Sequence, residues 1–600
     1  METLMKKIFF FALMLCCMIA SGGISNLKAV WRNGQLFLTW NESEIPSDAR
    51  FSVWSSRNPI TKENIKEAER IAWLINPASA CDWWRNKDAF VVSRSKSARS
   101  EEIFAGNVAD LHTAGQVPEG FIITTNGSPL DPRSGLHVHT PKAGQTGERY
   151  FAVTRHAGTD PEILEMTVMK SPVLLGEGRV NGIRFKGNIL REQTEGKPLL
   201  VELHGRGGGV GVDSKGAPRG NHIIFSDSTL GWREGLPFKF DLRVQNGIVK
   251  LILFDRVWTG RKLQRGESPD ARDFVPAVNT FWLGYNTNIA VSNNGPVYHW
   301  DNYTERLVLR IIQWVQEQYG TDQKRVYLNG GSMGGSGSVQ LALHYPDKFA
   351  AVYAYVPVYS YSWKRMPKFP KLLPSIFRMQ CSIGMFTAKD KVLMPDGTDL
   401  LVYGNGALQI AKPSVDMPPL FTTNGRRDMS IPWINNPPFY KAANEARQAF
   451  SVNWNNGGHA MTREVPPVIT IPELLRYRLD LSYPAFSNST DNRDYGNGDP
   501  DDGDLVGWIN RGMKWDNVKD TPELFEMTLS AAHPEMKYPV TCDVTFRRRQ
   551  QFKAAPGTRI AVEINGEKRE TVIDKNGLLT IEKVVFRDQK PIQIRCRILK

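Results

Sequence analysis

A serine hydroxyl attacks a carbonyl at neutral pH only with help. It needs a base, a carboxylate to orient that base, and donors for the developing oxyanion. This chain carries residues suited to each task. Residues 326–335 read as an apolar strand running into Gly330-Gly331-Ser332-Met333-Gly334, and the helix-compatible run 338–343 follows. Side chains at both flanking positions of so tight a strand-to-helix turn would collide, so glycine at 330 and 334 fits a serine on a strained backbone. Ser332 is the candidate nucleophile. The candidate base is His459, which follows Gly457-Gly458 late in an alternating region. The candidate carboxylate is Asp428, in the loop after the apolar run 419–423. The 31 residues separating it from His459 hold one helix, expected over 439–450, and one strand, expected over 451–454. A loop ion pair with Arg426 or Arg427 is the competing reading of Asp428, and Asp255 is a rival carboxylate that precedes the serine. For the oxyanion, the N–H of Met333 is one expected donor. The second is expected from the loop His204-Gly205-Arg206-Gly207-Gly208-Gly209, where Arg206 and Gly207 are both candidates. His204 reads as scaffold, as do His344 and His222. Trp258, Trp282, Tyr285 and Trp433 could line a sugar pocket or could equally pack a core.

These residues need a frame. From about 185 to 475 strands alternate with helices: apolar runs at 198–203, 249–254, 349–355 and 419–423, and an amphipathic helix over 302–318 with Leu307, Val308, Ile311, Ile312 and Val315 on one face. That alternation implies a mostly parallel sheet covered on both faces, an α/β architecture. Before it, residues 26–178 look all-β, opening with a hairpin around Asn33-Gly34, with a long insertion at about 75–145 that includes His137 and His139. After it, residues 481–600 read as a small β-sandwich, with strands at 541–546, 559–564, 580–586 and 591–599. The catalytic frame is expected over 179–480.

Composition narrows the class. At 600 residues several domains are expected. Lys6-Lys7 precede an apolar run over 8–20 and the small residues 21–23, so residues 1–25 read as an export signal rather than a membrane span. Four cysteines remain after it, Cys81, Cys381, Cys542 and Cys596, too few for a disulfide framework, although one bridge between Cys542 and Cys596 is conceivable. The net charge is +13. With no nucleic-acid-binding motif, such a field points either to an acidic polymer such as a uronate-rich polysaccharide or only to a solvated surface. No cluster has zinc-ligand spacing, and the acidic loop 499–504 lacks EF-hand spacing, so a solvated loop is the default there. Neither metal nor cofactor is expected.

Taken together, Gly-x-Ser-Met-Gly-Gly, Asp428, His459 and the His204-Gly205 loop resemble the α/β-hydrolase superfamily, whose triad members follow in the order Ser, Asp, His. Within it they resemble secreted feruloyl esterases, acetylxylan esterases and polyhydroxybutyrate depolymerases. The flanking β-modules, the first similar to fibronectin type III, resemble those of multi-domain bacterial carbohydrate esterases. The resemblance implies a secreted, monomeric serine esterase acting on polysaccharide, periplasmic or extracellular. A pectin-like uronate methyl ester is the preferred guess. A prolyl-oligopeptidase-type serine peptidase and a non-catalytic glycan-binding protein are the alternatives.

Overall fold

The computed structural model describes residues 22–82, 123–176, 184–205, 221–224, 237–255, 280–286, 300–376 and 386–599, with short gaps inside these ranges that include 33–34 and 460–466. The largest element is a ten-stranded sheet. Its strands are β1 (Arg184–Lys186), β2 (Leu199–Leu203), β3 (Asn221–Ile224), β4 (Pro237–Gln245), β5 (Ile248–Leu253), β6 (Val326–Gly331), β7 (Ala351–Tyr355), β8 (Leu420–Gly425), β9 (Phe450–Asn455) and β10 (Gly507–Ile509). In space they run β10-β9-β8-β7-β6-β2-β5-β4-β3-β1. Six neighbours, from β5 through β2, β6, β7 and β8 to β9, are parallel. The strands at both ends pair antiparallel. The antiparallel β4–β5 hairpin goes beyond the sequence expectation, yet its signal was legible. Asn246 and Gly247 take φ of 52° and 75° between the strands, the left-handed pair that an Asn-Gly turn supplies.

Alternation along the parallel strands buries both faces. Leu199, Val201 and Leu203 of β2 join Val326 and Leu328 of β6 in one core. Leu200 and Tyr327 point the other way and pack with Ile469 and Leu474. That is why these strands read as largely apolar runs rather than as alternating ones. Helix α1 (Tyr303–Tyr319) lays Leu307, Val308, Ile311, Ile312 and Val315 into the first core, each such side chain contributing about 1.5–3 kcal/mol when fully buried. It stops at Gly320, whose left-handed φ of 62° lets its N–H return to Gln316 O. Helix α2 (Met333–His344) follows the elbow and is buried along nearly its whole length. Helix α3 (Asn436–Glu445) begins three residues before the expected 439. Pro437 and Pro438 lie in its first turn, where a missing N–H leaves no helical bond unmade.

Smaller sheets flank this one in sequence. Ile24–Arg32, Gln35–Glu42 and Gly135–His139 form a three-stranded sheet, and Glu69–Ile75, Ala49–Ser56, Gly147–Ala157 and Glu165–Val168 belong to a second. Leu36, Leu38, Trp40, Phe51, Val53, Phe151 and Val153 make the core they share. The pairing of Arg32 with Gln35 leaves a two-residue connection, whose Asn33 and Gly34 lie outside the described residues. The expected insertion supplies the strand Gly135–His139. Burial holds His137, beside His139, down to about 3, so it stays neutral.

Beyond residue 480 the chain adds one more strand to the large sheet, β10, after Tyr483–Ser487 has joined a separate sheet. It also builds a three-stranded sheet (Tyr483–Ser487, Val540–Arg547, Leu579–Phe586) and a five-stranded one that contains Met513–Asp520 and Ile592–Ile598. Phe525, Val544, Phe546, Val562 and Ile594 are among the buried residues of their core. Arg547, fully buried, donates to Pro413 O at 2.9 Å, and Arg548 to Arg478 O at 3.0 Å, which fastens this core to the segments before it.

The conceivable Cys542–Cys596 bridge is absent. Both cysteines are free and buried, on strands of different sheets. Burial pushes both thiols up to about 12. Iodoacetamide at pH 8 should therefore leave both unmodified in the folded protein and alkylate both after denaturation without reductant. Peptide mapping reads the result, and a Cys542–Cys596 disulfide peptide would contradict it.

Candidate active site

The site stands at the C-terminal ends of β6, β8 and β9, where the parallel strands deliver three loops to one edge. Ser332, between β6 and α2, holds φ 56° and ψ −118°. A non-glycine residue there stores about 1–3 kcal/mol of strain, which the surroundings must hold. Its N–H donates to Tyr355 O at 2.8 Å. Its carbonyl accepts from the Ser336 hydroxyl at 2.9 Å, and Ser336 Oγ in turn accepts the Val358 N–H. Ser336 is a supporting residue the sequence reading did not name. Its signal was its place, one helical turn after the elbow serine.

Asp428 and His459 come from the loops after β8 and β9. The Asp428 side chain is buried, and its Oδ1 accepts the N–H groups of Ser430 and Ile431 at 2.7 and 2.9 Å. Its Oδ2 lies 2.5 Å from His459 Nδ1, and His459 Nε2 lies 2.9 Å from Ser332 Oγ. A carboxylate can only accept, so Nδ1 carries the ring proton and Nε2 is left to accept from the serine hydroxyl. Asp428 is thus tied to His459. The two arginines beside it bond elsewhere: Arg427 to Asn456 Oδ1 and Asp501, Arg426 to backbone carbonyls of residues 499–504.

Met333 opens α2, so its N–H belongs to the first turn, where helical acceptors are missing and the dipole favours negative charge. The loop after β2 comes alongside: a Cβ on Gly205 would lie 3.2 Å from Gly331 O and 3.6 Å from the Ser332 Cβ. Arg206 and Gly207 lie outside the described residues. His204 Nε2 accepts the Asp255 N–H at 2.8 Å, and its Nδ1 reaches Gly205 O at 2.7 Å, so both ring nitrogens serve the backbone. Asp255 is fully buried and takes the Thr280 hydroxyl at 2.7 Å and the Trp282 N–H at 3.0 Å. His344 bonds Glu305 and Tyr403 O inside the core.

The aromatic pocket needs correction. Trp282 and Trp433 are fully buried. Trp282 donates to His204 O at 3.2 Å, and Trp433 to Tyr495 O at 3.3 Å, so neither ring keeps a face for a sugar. Tyr285 lies on the short strand Tyr285–Asn286, its side chain outside the described residues, as is all of Trp258. Among the described residues no group of three or more His, Cys, Asp or Glu could hold a metal ion. Among them no helix is long and apolar enough to cross a membrane.

Residues 279–461 match the family model named Esterase. The match takes in Ser332, Asp428 and His459. No curated protein matches the chain. Solved structures with some likeness include an S-formylglutathione hydrolase from Agrobacterium tumefaciens, at 12% identity and TM-score 0.24 over 44% of this chain and 78% of that one. A ferulic acid esterase is 12% identical at TM-score 0.24, over 48% and 88%. An acylaminoacyl peptidase from Pyrococcus horikoshii is 13% identical at TM-score 0.28, over 53% and 45%. With the parallel sheet and the strained elbow serine in place, the match over residues 279–461 marks this chain as a serine hydrolase.

Proposed function

We propose that the protein is a secreted carbohydrate esterase working through Ser332, His459 and Asp428. The observation that carries this reading is the unbroken line from Asp428 Oδ2 through His459 to Ser332 Oγ, at 2.5 and 2.9 Å. In the first half-reaction, Ser332 Oγ attacks the ester carbonyl and its proton passes to His459 Nε2. Asp428 holds the ring in register and stabilises the imidazolium as it forms. The N–H of Met333 and one N–H of the 205–207 loop take the oxyanion. His459 then protonates the leaving alcohol, the acyl group stays on Ser332, and water activated by the same imidazole releases the acid. Neither a metal nor a cofactor is part of this scheme.

The preferred substrate is an ester on a plant-type polysaccharide, foremost a methyl ester of a pectin-like uronate glycan. The net charge of +13 supports an acidic polymer. The leader-like basic pair and apolar run over 6–20 support export to the periplasm or cell exterior, and the enzyme is taken to act as a monomer. The N-terminal two-sheet unit fits a fibronectin III-like module and the C-terminal sheets a β-rich accessory domain. Turnover of methyl, acetyl and feruloyl esters on defined polysaccharides, compared with proline-containing peptides, tests the reading. Release of methanol from a methylated uronate polymer is expected. Hydrolysis confined to peptides would replace the esterase with a peptidase of the same fold.

A further inference from the structure

We propose that Arg426 is a positioning residue for this reaction, clamping the Asp428 loop to the backbone of residues 499–504. The proposal rests on the triad reading above. The Arg426 side chain is fully buried. Its Nε donates to Pro500 O at 2.9 Å, Nη1 to Asp504 O at 2.8 Å, and Nη2 to Asp499 O at 3.0 Å and also to Asp502 O. Its guanidinium carbon lies 4.9 Å from the centre of the Trp433 ring. Four carbonyls converging on one cation fix the path of a whole loop, as a single mobile carboxylate would not.

The aspartates of that loop shape it from within. Asp499 Oδ1 accepts the Asp501 N–H, Asp502 Oδ2 the Asn497 N–H, and Asp504 Oδ2 the Asp494 N–H. With these N–H groups met by side chains, the carbonyls turn inward. The acidic run is thus a cradle for a guanidinium that arrives from another segment. The backbone of Arg426 completes the tie. Its N–H donates to Asn455 O at 2.9 Å, the Arg427 N–H donates to Gly457 O at 3.0 Å, and Trp454 Nε1 reaches Asp504 O at 2.8 Å. One residue therefore joins three segments: the loop of Asp428 two positions on, the loop of His459, and a stretch from beyond the esterase match. Release of Arg426 shifts Asp428 Oδ2 against His459 Nδ1, and a displacement of about 1 Å near reacting groups costs on the order of 10²-fold in rate.

The test measures kcat and KM on p-nitrophenyl acetate for Arg426→Met, Arg426→Lys and Arg426→Ala in the full chain, with Ser332→Ala alongside and circular dichroism on each. Arg426→Met fills the space without donors. Its kcat is expected to fall about 10- to 100-fold with KM within about twofold. Arg426→Lys is expected to recover part of the loss and serves the same comparison should the methionine variant not fold. In Arg426→Ala, millimolar guanidinium should restore kcat saturably where sodium chloride does not. Wild-type kcat in Arg426→Met beside an inactive Ser332→Ala overturns the clamp and leaves the triad standing. So does a kcat loss that neither lysine nor guanidinium recovers and that follows the folded fraction. Full activity in Ser332→Ala removes the triad reading itself, and this proposal with it.

Discussion

Ser332→Ala should lower kcat on p-nitrophenyl acetate by about 10⁵- to 10⁶-fold, while circular dichroism and Tm stay close to wild type. The hydroxyl is the only atom removed, and no fold-supporting bond runs through it: the elbow is held by the Ser332 N–H and C=O, which alanine keeps. Labelling by a fluorophosphonate probe should vanish with it. Asp428→Asn should be nearly as damaging, at about 10⁴-fold. The amide preserves shape and can still accept from Ser430 and Ile431, but it offers an N–H where His459 Nδ1 has its own proton. The ring is then driven to the tautomer whose Nε2 cannot accept from Ser332. His459→Ala belongs in the same series, and combining it with Ser332→Ala should add little, because the residues act as one unit. Wild-type turnover in Ser332→Ala would end the assignment.

Gly334→Ala should abolish labelling for a different reason. A Cβ at 334 would lie 2.6 Å from the Leu203 carbonyl carbon and 2.8 Å from His204 O. These are backbone atoms of β2 and its following loop, so no side chain can swing aside. The esterase segment should lose about 3 kcal/mol or more, beyond the ordinary range of overpacking, and its apparent Tm should fall by about 6–12 °C. Gly330→Ala should act similarly, because its Cβ would press on the Gly334 carbonyl. Gly331→Ala is the contrast within the same motif. The nearest neighbour of its Cβ is Tyr355 Cδ1, at 3.7 Å, so Tm should stay within about 2 °C. Thermal melts of the three variants decide the matter, and equal losses at 331 and 334 would refute the steric account of the elbow.

Ser332, Asp428 and His459, which the fold brings into one hydrogen-bonded line, were legible in the chain because each sits on a local signal. Ser332 lies between two flanking glycines, Asp428 follows an apolar strand, and His459 follows Gly457-Gly458. The parallel strands β2, β5 and β7 were legible because burial on both faces leaves a mostly apolar run. The hairpin at β4–β5 carried its Asn246-Gly247 signal too, but Pro237–Gln245 alternates polar and apolar residues and reads weakly beside the buried runs. The tryptophans were not legible. Composition cannot tell a ring that stacks on a sugar from one that fills a core, and both described candidates, Trp282 and Trp433, fill the core.

By itself the sequence determined the chemistry on offer: a serine on a glycine-flanked turn, an acid and an imidazole in hydrolase order, and a sheet of apolar strands to carry them. Only the tertiary structure decided the partners. It set Asp428 against His459 rather than against its neighbouring arginines, left Cys542 and Cys596 apart on different sheets, and brought the carbonyls of residues 499–504 onto Arg426 across more than seventy residues of chain. The physical reason is range. Turn geometry and burial pattern act between near neighbours and are written locally. The choice of partner for a buried charge depends on which distant backbone packing brings within about 3 Å of it.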